Sequence, residues 1–143
     1  MTSRLEHANL VVRDIDAAVR FLQTALPDFA LRFDGCNERG QRWVHLGTPS
    51  CYVALSAATQ PPAQRWTPYA GRPGVNHLAF EVDDADALRQ RMLAAGYLDT
   101  TVLNTHPARK RVYFNDLDGN DWEFVEYLSD DPAARNDYTQ PDH

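Results

Sequence analysis

The chain has 143 residues, 43% of them hydrophobic and 24% charged, which fits one ordinary globular domain or two very small halves and excludes a disordered, collagenous or coiled-coil chain. Fourteen Lys and Arg against twenty Asp and Glu leave a formal charge of −6, so nucleic acid and anionic membrane surfaces are not expected partners. The longest uncharged stretch, residues 46–64, is broken by Gly47, Pro49, Pro61 and Pro62; no segment can span a bilayer, and with no secretory or transit pattern at the start the expected location is cytoplasmic.

The sequence repeats itself. His7-Ala8-Asn9-Leu10-Val11-Val12-Arg13-Asp14-Ile15-Asp16-Ala17 aligns with His77-Leu78-Ala79-Phe80-Glu81-Val82-Asp83-Asp84-Ala85-Asp86-Ala87, matching at the His, Val, both Asp and the Ala. Each copy opens with a period-two strand: Ala8, Leu10 and Val12 form one apolar face, as do Leu78, Phe80 and Val82, which puts His7 and His77 on the opposite faces. Asp14 and Asp84 then stand where a side-chain oxygen caps a helix. The first helix carries Ile15, Ala18, Val19, Leu22 and Leu26 on one stripe and ends at Pro27; the second carries Ala85, Leu88, Met92 and Ala95 and ends at Gly96. Three short strands follow in each copy, over Ala30–Asp34, Arg42–Gly47 and Cys51–Ser56, and over Asp99–Asn104, Arg111–Asn115 and Trp122–Tyr127. The plan is β-α-β-β-β, twice. It divides the chain into a first module at 1–60, a Pro-rich linker at 61–74 that is expected to run as a loop, a second module at 75–128 and a polar tail at 129–143, where Asp131-Pro132 marks a short helix start. Cys36 and Cys51 form no Cys-x-x-Cys pair and no disulfide framework, and are read as small core or edge residues.

In the last strand Trp122 and Phe124 alternate with Glu123, Val125 and Tyr127, so Glu123 leaves the apolar face just as the two histidines do. Two imidazoles and one carboxylate on one kind of surface match a facial triad, which suits Fe(II), Mn(II) or another divalent ion and leaves coordination positions open. His7, His77 and Glu123 are therefore the candidate metal ligands.

The paired β-α-β-β-β units, the histidine in each first strand and the ending Asp116-Leu117-Asp118-Gly119-Asn120-Asp121-Trp122-Glu123 resemble the vicinal oxygen chelate superfamily, which includes glyoxalase I, extradiol dioxygenases, fosfomycin-resistance proteins and metal-free bleomycin-binding proteins. The resemblance covers about residues 4–128. It implies an α+β fold in which two βαβββ modules form a cupped, incomplete mixed β-barrel, with one divalent metal in the cup and a homodimer as the assembly. The superfamily's frequent fourth ligand falls at Ala54, which cannot coordinate, so the pattern is closer to the extradiol dioxygenases, with Fe(II) favoured over Mn(II), Zn(II) or Ni(II). Their signature matches Asn104-x-His106, Val112-Tyr113-x-x-Asp116, Gly119 and Glu123, with Leu117 in place of a proline. That match implies an acid/base role for His106 and a substrate hydrogen bond from Tyr113. Arg109, within the basic run Arg109-Lys110-Arg111, and Tyr52, Trp66 and His45 are the expected contacts to a small-molecule substrate, while Trp43 and Tyr69 are further candidates to line a site for a flat ligand. Glyoxalase-like lyase or isomerase chemistry and metal-free ligand binding are the alternative functions.

Overall fold

The computed structural model describes residues 3–61 and 67–140; Trp66 lies outside them. The chain divides into two compact units, Met1–Gln64 and Arg65–His143. The first contains β1 (His7–Val12), α1 (Ile15–Ala25), β2 (Ala30–Cys36), β3 (Arg42–Gly47) and β4 (Tyr52–Ala57). The second contains β5 (His77–Glu81), α2 (Ala85–Ala94), β6 (Leu98–Asp99), β7 (Arg109–Asn115), β8 (Asp121–Tyr127) and the short α3 (Pro132–Arg135). Each unit has one open four-stranded sheet, ordered β1-β4-β3-β2 and β5-β8-β7-β6. In each the first strand pairs parallel with the last, and the remaining pairs are antiparallel. The fold is α+β with two mixed sheets.

Both helices start as their aspartates dictate. Asp14 accepts from the Ala17 N–H at 2.9 Å and Asp84 from the Ala87 N–H at 2.8 Å, each cap contributing about 1 kcal/mol. Burial does the larger share. Phe21 and Leu22 of α1 pack with Val44, Leu46, Val53 and Leu55, while Leu88 and Met92 of α2 share the second core with Val112, Phe114, Trp122 and Phe124; all are at most 3% exposed, and each large apolar side chain so buried contributes roughly 1.5–3 kcal/mol.

Three local expectations are corrected. The buried stripe of α1 runs through Ala17, Phe21 and Ala25 beside Ile15 and Leu22, so it is rotated away from Ala18 and Val19. The strand expected over Asp99–Asn104 shrinks to Leu98–Asp99. There, the Thr101 hydroxyl accepts the Tyr113 N–H at 2.9 Å and Asp99 accepts the Thr101 N–H at 2.8 Å, so side chains take over the bonds a continuing ladder would make. The strand expected from Arg111 begins two residues earlier, at Arg109.

Strand register identifies equivalent positions in the two units. Asn9 pairs with Ala54 and Ala54 with His45; Ala79 pairs with Glu123 and Glu123 with Tyr113. Ala54 is the counterpart of Glu123, and His45 of Tyr113. One step along, Tyr52 beside His7 answers to Asp121 beside His77.

Candidate metal and substrate site

Alternation along β5, β7 and β8 sends Leu78, Phe80, Val112, Phe114, Trp122 and Phe124 toward α2 and places His77, Glu123, Tyr113, Arg111 and Asp121 on the other face. There His77 Nε2 lies 2.9 Å from Glu123 Oε2. The second carboxylate oxygen of Glu123 is 3.8 Å from Arg111 Nε, and the Tyr113 hydroxyl hydrogen-bonds the Glu123 carboxylate. Burial, followed by the charge of Glu123, pushes the Tyr113 phenol well above its usual range, so Tyr113 keeps its proton and donates it.

The other ring nitrogen of His77 is also engaged. Nδ1 is 2.9 Å from the hydroxyl of Tyr69, and that hydroxyl donates to Asp121 Oδ2 at 2.9 Å. Thr100 Oγ1 donates to the other oxygen of Asp121 at 2.8 Å. A phenol has one proton; Tyr69 gives it to Asp121, so toward His77 its oxygen is an acceptor and Nδ1 carries the hydrogen. Nε2 of a neutral His77 then presents a lone pair to a carboxylate, and only a proton or a metal ion between them makes that contact favourable. Two donors each about 2.1 Å from one ion and at right angles would lie about 3.0 Å apart, so the observed spacing fits neighbouring ligands of a divalent cation.

His7, in the first unit, has different surroundings. Its Nδ1 contacts the Glu6 carboxylate at 2.5 Å, and its ring stacks on Tyr52 with centroids 4.7 Å apart. From Tyr52 the aromatic contacts continue to His45, Trp43 and Phe33, with centroid separations of 4.7, 4.7 and 4.3 Å, and the Arg32 guanidinium lies 4.2 Å above the Tyr52 ring. Burial, followed by the charge of Arg32, lowers the pKa of His45. Among the described residues, no group of three or more His, Cys, Asp or Glu side chains is gathered as a metal cage.

His106 and Arg109 lie against the C-terminal segment. His106 is buried, with Nδ1 accepting from the Ala108 N–H at 3.1 Å and Nε2 donating to the Asp137 carbonyl at 2.8 Å. Arg109 donates to the Arg135 carbonyl at 3.3 Å and lies 5.2 Å from the Tyr138 ring centre. Asp116 organises the turn before β8: it accepts from the Asp118 and Asn120 N–H groups, the Asn120 amide and Trp122 Nε1, all at 2.9–3.0 Å. This part of the ending motif aims Trp122 inward, which sets the parity that turns Glu123 outward.

Sequence reasoning missed Tyr69 and Asp121 as partners of His77. Asp121 shares strand parity with Glu123, a signal available in the alternation; Tyr69 had none, since the loop's course decides where its hydroxyl goes. Its backbone has φ +60°, a region that costs a bulky residue about 1–3 kcal/mol. Its N–H donates to Asn76 Oδ1 at 2.9 Å, which helps hold the strained conformation.

Residues 4–124 match the Glyoxalase/Bleomycin resistance protein/Dioxygenase superfamily, and the chain belongs to it. No curated protein sequence matches. Among solved structures, a glyoxylase/bleomycin resistance protein/dioxygenase domain from Frankia sp. EAN1pec is similar at 24% identity, covering 92% of this chain and 96% of that one, with a TM-score of 0.74. A glyoxalase family protein from Bacillus cereus shares 20% identity over 90% of this chain and 97% of its own, with a TM-score of 0.73. A mutant of the fosfomycin resistance protein FosX from Listeria monocytogenes, complexed with Mn(II) and 1S,2S-dihydroxypropylphosphonic acid, shares 18% identity over 95% and 99%, with a TM-score of 0.67. These likenesses establish the fold. No helix among the described residues is long and apolar enough to cross a membrane.

Proposed function

We propose that the protein is a metal-dependent enzyme of the vicinal oxygen chelate type, in which His77 and Glu123, joined by His7 as third ligand, hold one divalent cation. The observation that carries this reading is the approach of His77 Nε2 to Glu123 Oε2 at 2.9 Å while Tyr69 and Asp121 claim Nδ1. Two imidazole nitrogens and one carboxylate suit Mn(II) or Fe(II). The FosX relative with Mn(II) and a diol phosphonic acid supports the same pairing of divalent ion and oxygen-rich ligand. When bound, the cation supplies Lewis-acid stabilisation of charge on two neighbouring substrate oxygens. The chain's own residues do the rest: Tyr113 and Arg111 hold the Glu123 carboxylate in place, and Tyr52 and His45 of the aromatic face receive the organic part of the substrate. His45, biased toward its neutral form, is the residue of that face suited to accept a proton. The working assembly is a homodimer.

A second reading, extradiol-type oxidation with Fe(II), is favoured by Ala54: with no fourth protein ligand, three positions of an octahedral ion stay open for a catecholate and dioxygen. His106, with both ring nitrogens on backbone groups, supports the Lewis-acid reading over this one. Anaerobic titration with Mn(II) and Fe(II), followed by oxygen-uptake assays on catechols and a methylglyoxal–thiol assay, tests both. One equivalent bound without catechol-dependent oxygen uptake is expected; stoichiometric uptake selects the oxidation. Failure of either ion to bind or to raise the melting temperature contradicts the metal reading and leaves ligand sequestration as the function.

A further inference from the structure

We infer that Tyr69 is a positioning residue for His77: its phenol oxygen takes the Nδ1 hydrogen, and because the same hydroxyl is anchored on Asp121, the imidazole is locked with Nε2 turned to Glu123. The inference rests on the metal reading only for its consequence for affinity; the locking itself is a property of the second unit alone. Hydrogen-bond direction supplies the first part of the argument. Asp121 receives from Thr100 at one oxygen and from Tyr69 at the other, so the phenol proton is committed and its oxygen is left to accept at 2.9 Å from Nδ1.

The backbone supplies the second part. Tyr69 is the one described non-glycine residue at positive φ, where a β-carbon is strained. It sits between Pro68 and Gly71 in a loop whose turn could be made at lower cost by glycine. The ring is largely exposed, so it does not hold this conformation by being buried. What the strained backbone delivers is the hydroxyl, placed at the one point that meets both His77 and Asp121. Strain of this kind persists where surrounding bonds over-determine it, and here they are the Asn76 side chain on the Tyr69 N–H and the two contacts of the hydroxyl. Glu6 does the corresponding work for His7 from the adjacent residue, which needs no loop; His77 follows Asn76, an amide already spent on the Tyr69 backbone.

The test is Tyr69→Phe, which keeps the ring and removes only the hydroxyl. In metal-free protein, proton–nitrogen NMR of His77 should show a protected Nδ1–H in the parent that is lost in Tyr69→Phe, with the melting transition retained. Calorimetric titration with Mn(II) alone should show affinity falling 10- to 100-fold, the range typical when a partner orienting a histidine ligand is removed. An Nδ1–H that persists in Tyr69→Phe, a parent His77 with its hydrogen on Nε2 alone, or unchanged Mn(II) affinity despite loss of the Nδ1–H each overturns the assignment. If the parent binds no Mn(II), the metal reading fails, and the Nδ1–H comparison still decides whether Tyr69 orients His77.

Discussion

Where the second unit has Glu123, Tyr113 and Asp121 around His77, the first has Ala54, His45 and Tyr52 around His7. The elements beneath them are the same, capped by equivalent aspartates and filled by helices of similar length. Among the differences are those on the sheet face that the helix does not cover, where Ala54, His45 and Tyr52 correspond in register to Glu123, Tyr113 and Asp121. One face collected carboxylates, a guanidinium and phenols, which fix charge and can hold a cation. The other collected aromatic rings in contact with one another, which suit the organic part of a ligand. A duplicated plan thus allows corresponding faces to diverge in chemistry while the strand order is kept.

The largest expected effect is on that charged face. Glu123→Ala should weaken Mn(II) binding at least ~100-fold, since it removes a proposed ligand outright, with the fold retained, whereas Glu81→Ala, on the same strand face as His77 but paired with Arg135 at 3.5 Å, should retain binding. Equal loss in both variants would show that the Glu123 carboxylate does not define the site. Next in size, Asp116→Ala should cost about 4 kcal/mol, because four donors lose one acceptor at net values of about 1 kcal/mol each; urea unfolding followed by tryptophan fluorescence measures it. His106→Ala should cost about 1–2 kcal/mol and raise hydrogen exchange in residues 129–140 while leaving Mn(II) affinity intact, which separates a structural histidine from the proposed ligands. Asp14→Ala and Asp84→Ala should each cost about 1 kcal/mol, and equal losses on thermal melting would confirm that the two helices are equivalent. Last, His45 should titrate below the ordinary imidazole range by NMR. A histidine whose folded pKa is lowered binds fewer protons than in the unfolded chain, so its penalty is absent above that range and grows as pH falls through it.

Much of this was legible in the amino-acid order, for identifiable reasons. Period-two alternation is robust, so the outward parity of His7, His77 and Glu123 could be read directly, and Asp14 and Asp84 announced their helices. The stripe of α1 was misplaced because Ala17 and Phe21 lie within one residue of Ala18 and Leu22, and apolar residues on neighbouring stripes leave helix rotation to tertiary packing. The strand after Leu98 was overextended because Thr100, Thr101 and Val102 have high strand propensity, while hydroxyl bonds to Tyr113 and Asp121 set the actual path. Tyr69 reaches His77 only through a loop whose shape no local periodicity encodes. The signature residues His106 and Asp116 matched a motif, but motif matching does not reveal that their polar atoms are spent on backbone and turn.

The most direct test of the central claim is a count of imidazole nitrogens around one bound ion. Cu(II) loaded into the proposed site and examined by electron spin-echo spectroscopy should report two histidine nitrogens in the parent protein, and one in each of His7→Ala and His77→Ala. A parent spectrum with a single imidazole, or a count that does not change in His7→Ala, would contradict a cation held jointly by the two halves of the duplicated chain.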